Sequence, residues 1–85
     1  NYPNPFNPET IIEFALPKSA NVLITVYNTA GQKVATVLSE VMSAGRHQVR
    51  WNGKDNSGNT VSSGVYLYKF ESEGFTQTRK MLLVK

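Results

Sequence analysis

The side chains able to do chemistry in this chain are few and far apart. There is one histidine, His47, and the six carboxylates are Glu9, Glu13, Glu40, Asp55, Glu71 and Glu73. A general acid–base pair needs two titratable groups within reach of one substrate. No two of these carboxylates share a helical face or flank a recognisable cleft. His47 alternates with Val49 and Trp51, which puts its ring on an apolar strand face, a packing role rather than proton transfer. No nucleophile elbow, phosphate-binding loop or zinc-binding helix motif occurs. The sequence reads as non-catalytic, with no cofactor.

Two groupings invite binding instead. Asn52, Asp55, Asn56, Ser57 and Asn59 concentrate oxygen donors in one loop. Calcium accepts such ligands, but the spacing departs from the EF-hand loop and supplies one carboxylate. The same side chains bond backbone N–H groups in tight turns, which is the reading favoured here. Trp51, Tyr66, Tyr68 and Tyr27 offer rings on which a sugar can stack, so carbohydrate is a possible partner. Core and sheet packing use the same rings. By strand parity Tyr27 is the outward-facing one.

The elements that position these residues read as strands throughout. Residues 10–16 alternate, with Ile12, Phe14 and Leu16 on one face. Val22, Ile24 and Val26 share a face opposite Leu23, Thr25 and Tyr27, and Asn28 through Gly31 turns the chain. Residues 33–38 form a third strand whose inward face is ambiguous, because both parities carry apolar residues. Residues 39–45 read as a looser connection with room for a short edge strand or a helical turn. Residues 46–51 alternate cleanly, 52–59 are dense in turn residues, and Thr60-Val61 adds a brief strand. Residues 65–71 place Tyr66, Tyr68 and Phe70 on one face, and Glu73-Gly74 leads into a last strand. The fold class is all-β, an Ig-like antiparallel β-sandwich of about seven strands. Residues 1–8, with Pro3, Pro5 and Pro8, read as a semi-rigid linker, and residues 9–85 as the domain.

Composition sets the bounds. Of 85 residues, 40% are hydrophobic and 18% charged, which is globular rather than disordered. With no cysteine, no disulfide staples the fold, so packing must stabilise it. The single tryptophan, Trp51, is then placed to decide whether the domain folds. The net charge of +3 is scattered, with only Arg79 and Lys80 adjacent, too sparse for a nucleic-acid-binding face. No apolar run spans a bilayer. The chain opens on Asn1, which suggests a domain of a longer protein.

The closing stretch poses its own question. Met81, Leu82, Leu83 and Val84 are apolar on both parities, unusual for an edge strand facing water. Either the strand is central and covered on both faces, or part of it awaits a partner.

These motifs together resemble the type A C-terminal sorting domain of the type IX secretion system. The resemblance spans nearly the whole chain. It rests on Tyr2-Pro3-Asn4-Pro5, Val26-Tyr27-Asn28-Thr29-Ala30-Gly31, Val49-Arg50-Trp51-Asn52-Gly53, Asp55-Asn56-Ser57-Gly58, Ser63-Gly64-Val65-Tyr66 and the basic–apolar tail. The middle portion, from Trp51 to Tyr66, also looks like the Ig-like domain of the flagellar hook-capping protein. The sorting resemblance implies that the domain addresses an N-terminal cargo for export through the periplasm to the cell surface or medium. It implies an outer-membrane translocon and a sortase-like protease as partners. Recognition in that family maps onto Gly64, Tyr66, Lys80, Met81, Leu82, Leu83, Val84 and Lys85. A closing strand can also offer main-chain hydrogen bonds to a receptor edge, with Lys80 and Lys85 setting the register. An accessory carbohydrate-binding or spacer module of an extracellular enzyme is the alternative.

Overall fold

In a computed structural model that describes residues 10–84, six antiparallel strands form two facing sheets. They are β1 (Thr10–Leu16), β2 (Ala20–Tyr27), β3 (Lys33–Met42), β4 (Gly45–Trp51), β5 (Gly64–Ser72) and β6 (Phe75–Leu83). One sheet pairs β1 with β4, and the other has the order β3-β2-β5-β6. The proline-rich linker and Lys85 lie outside the described residues.

The core lies between the layers and follows from strand alternation. Ile12 and Leu16 of β1 and Trp51 of β4 face Val22, Ile24, Val26, Tyr66, Phe70, Met81 and Leu83 of the larger sheet. Val22, Ile24 and Val26 are fully buried, as the alternation in β2 predicts. β2 is central in its sheet, flanked by β3 and β5, and on its outer side Thr25 is buried, Leu23 and Tyr27 are half-buried and Asn21 is exposed.

The structure departs from the expected strands in two places. The third strand runs on to Met42 rather than stopping at Leu38, pairing with β2 as far as Ala20↔Met42. Its two-sided apolar pattern comes from irregular pairing. Ile24 pairs with Leu38 but Thr25 pairs with Thr36, so Val37 is an extra residue and parity inverts there. Leu38 and Ala35 thus both reach the inner side. The second departure is that Thr60 makes only an isolated bridge to Lys54, so the described residues form six strands where the sequence pattern predicts about seven. Asp55 folds the intervening loop onto itself, which leaves too little extended chain for a ladder.

Candidate functional site

The β5–β6 hairpin carries the candidate recognition residues, and its turn fixes how they face. Glu73 and Gly74 link Ser72 to Phe75 with φ of 47° and 80°. Two consecutive positive φ values make a type I′ turn, which suits the twist of the flanking strands. Such a turn is closed by a hydrogen-bonded pair, here Ser72↔Phe75, and bonded pairs recur at every second residue. Phe75, Gln77, Arg79, Met81 and Leu83 therefore bond β5. Thr76, Thr78, Lys80 and Leu82 turn their backbone groups to the other edge, where no strand follows among the described residues.

Side chains divide the same way. Met81 and Leu83 are buried at 4% and 0% exposure, whereas Leu82 and Val84 are 51% and 41% exposed. Lys80 is exposed beside them. Among the described residues the closing strand is thus an edge strand with one covered face, not a central strand. Val65, opposite Leu82, is 42% exposed and extends the apolar patch on the outer face. The sequence reading passed over Val65, although its parity opposite to Tyr66 marks it as outward.

Gly64 and Tyr66 have internal roles. Gly64 adopts φ +154°, while a Cβ built there meets nothing within 4 Å. Its requirement is backbone geometry, not close approach. A Gly64→Ala chain should lose about 1–3 kcal/mol through strain alone, read as a lowered urea midpoint with an unchanged far-UV spectrum. Tyr66 is buried, donates its hydroxyl to Ser62 O at 2.7 Å and meets Trp51 edge-on at 5.2 Å. Trp51 donates Nε1–H to Lys54 O at 3.0 Å.

The stacking rings are therefore dispersed. Trp51 and Tyr66 lie in the core, Tyr68 shares their inward parity on β5, and Tyr27 is half-buried on the outer side. They do not form one platform.

In the oxygen-rich loop the side chains of Asn52, Asp55 and Asn56 bond backbone groups. Asp55 Oδ1 accepts the N–H groups of Ser57 and Asn59, both at 2.9 Å, and Asn52 Oδ1 accepts that of Lys54. Asn56 Oδ1 accepts the Thr36 N–H at 3.0 Å, and its own N–H donates to Val34 O. Among the described residues, no three His, Cys, Asp or Glu side chains cluster to hold a metal. His47 is half-buried against Phe14, and its Nε2–H donates to Ser43 O at 2.8 Å. That bond fixes a packed ring.

Comparison with known proteins identifies this arrangement. The sequence model of the FlgD Ig-like domain matches residues 5–74. The crystal structure of FLGD from P. aeruginosa superposes with a TM-score of 0.70 at 29% sequence identity, covering 88% of this chain and 60% of that one. The chain thus spans less than two thirds of that FLGD chain. No curated protein matches.

Proposed function

The chain belongs to the FlgD Ig-like domain family, and from that premise we propose that it is a non-catalytic module addressing a larger cargo for type IX export. The observation that carries this reading is the display on β6. Lys80 and Leu82 on β6, and Val84 just after it, are exposed, and among the described residues this strand is a sheet edge that lies beyond Gly74, where the family match ends. The sorting resemblance assigns translocon recognition to Gly64, Tyr66 and residues 80–85, and Lys80, Leu82 and Val84 are the exposed members of that set among the described residues. Tyr2-Pro3-Asn4-Pro5, the other half of that resemblance, lies outside the described residues. The partners in this reading are an outer-membrane translocon, a sortase-like protease and an N-terminal cargo domain. The destination is the cell surface or medium.

Core packing dictates the form of the test. Deleting the last six residues would also remove Met81 and Leu83 from the interior, so lost export would not separate recognition from unfolding. The informative variant combines Lys80→Ala, Leu82→Ser and Val84→Ser, since exposed substitutions usually change stability by only about 0.5 kcal/mol each. Both versions are fused behind an exported fluorescent reporter in a host with a type IX translocon. The intact domain should carry the reporter out of the cell, and the variant should trap it in the periplasm while unfolding at the parent's midpoint. Equal export by the two would overturn the reading.

A second reading, a structural spacer, is favoured by one observation. The motif residues Trp51, Asp55, Gly64 and Tyr66 all serve the fold of a body 35 × 25 × 21 Å across. A chain in which neither version is exported returns the balance to that role.

A further inference from the structure

The larger sheet has two edges, and they are guarded differently. At β3, Asn56 takes the Thr36 N–H and the Val34 carbonyl, and two register shifts break the strand's regularity. Bulges and covering loops are the usual protection against strand addition. Among the described residues, β6 has neither device. Its ladder with β5 runs without a register shift from Ser72↔Phe75 to Gly64↔Leu83. No proline interrupts it, and its outward backbone groups belong to Thr76, Thr78, Lys80 and Leu82.

We propose that this edge captures an extended, carboxylate-bearing segment of another protein, which pairs with β6 as a fifth strand of the sheet. Charge argues for the acidic partner. β6 carries Arg79 and Lys80 and no carboxylate. On the outer face Glu71 already pairs with Lys69 at 3.5 Å. Lys80 stands opposite Leu67 and between Thr78 and Leu82, none of them acidic. A glutamate on the incoming strand opposite Lys80 would complete a favourable cross-strand pair, and an apolar residue two positions away would cover Leu82.

The same charges disfavour a second copy of this chain. Antiparallel pairing of β6 with itself at full overlap sets Arg79 against its own counterpart, with the two Lys80 side chains close by. Like charges directly opposite destabilise a pair. The inference deepens the sorting proposal and rests on its reading of β6 as the recognised element, by giving the chemistry of what that strand would recognise.

The test uses the whole chain and an end-blocked, fluorescein-labelled octapeptide alternating glutamate with valine. Fluorescence anisotropy should show binding, at least tenfold weaker for the same peptide with lysine in place of glutamate. Lys80→Glu should reverse part of that preference, weakening the glutamate peptide roughly five- to tenfold. Thr78→Pro is the sharper variant. The Thr78 N–H points away from β5 to a side where no strand follows among the described residues, and proline is tolerated at such an edge, so the chain should melt as the parent does yet lose binding about tenfold or more. Arg79→Pro removes an N–H that bonds β5 and should unfold the hairpin. Failure of the glutamate peptide to bind, equal binding by Thr78→Pro, equal destabilisation by the two prolines, or dimerisation through β6 would each overturn the proposal. The peptide assay needs no translocon. Peptide capture by a domain that never exports its reporter would therefore support the acidic-strand edge and sink the sorting reading alone.

Discussion

Replacing Trp51 with alanine should cost about 3–5 kcal/mol, the usual range for deleting a buried aromatic ring. A small domain has only about 5–15 kcal/mol in total, and this one contains no cysteine with which to staple itself. The ring is 3% exposed and ends β4 in the two-stranded sheet, yet it meets Tyr66 of the four-stranded sheet edge-on. It therefore joins the layers, and its loss opens a cavity between them. The indole also holds the loop after β4 through Lys54 O, so its removal loosens the turn as well as the core. Urea unfolding followed by far-UV circular dichroism should show a chain largely unfolded, or nearly so, before denaturant is added. Trp51→Phe keeps a ring against Tyr66 and gives up the hydrogen bond and some volume, so it should fall between alanine and the parent. A loss under about 1 kcal/mol for alanine would mean that the ring does not bridge the sheets.

Trp51 is also an instance of what alternation can disclose. In β1, β2, β4 and β5 a period of two separates inner from outer side chains, because each of these strands keeps one face against the core without interruption. β3 defeats that reading at Val37, where an extra residue inverts parity and no local pattern announces it. Its far end escapes for another reason: Ser39, Glu40 and Val41 stay exposed while their backbone pairs with β2. Hydrophobic periodicity has nothing to report there. The place of β6 was hidden for a third reason. Whether a strand is an edge depends on sheet order, which is set by pairings between distant residues, and Met81 through Val84 are apolar on both parities.

The motifs that made the chain recognisable turn out to build the sandwich. Asn28 Oδ1 accepts the Ala30 and Gln32 N–H groups at the β2–β3 turn. Asp55 closes the loop after β4, Gly64 opens β5 at a positive φ, and Tyr66 ties its hydroxyl to Ser62. Those bonds serve the fold of this chain itself, so they do not tell a module that sorts cargo from one that spaces two domains. Fold membership is consequently easy to read, and function must be sought in side chains that the fold leaves unused. On the described part of the chain, Lys80 and Leu82 on β6 and Val84 just beyond it are three such residues.

Leu82 and Leu83 allow that separation to be measured with identical chemistry at adjacent positions. Leu83 is fully buried opposite Gly64, and its replacement by alanine should cost about 2–5 kcal/mol. Leu82 is half exposed opposite Val65, and the same replacement should stay within about 0.5 kcal/mol. The side chains and the deletions are the same, so the difference isolates the strand's pleat. Parallel urea titrations therefore test the register of β6 directly, and equal losses would mean that the strand is not paired as described. The comparison also assigns meaning to export data. A Leu83→Ala domain that fails to leave the cell has lost its fold first, and says nothing about recognition. A Leu82→Ala domain that keeps its midpoint but exports less has lost contact with whatever reads the strand. Only the second outcome locates a recognition surface, and it does so on the face where Val65, Lys80 and Val84 lie beside it.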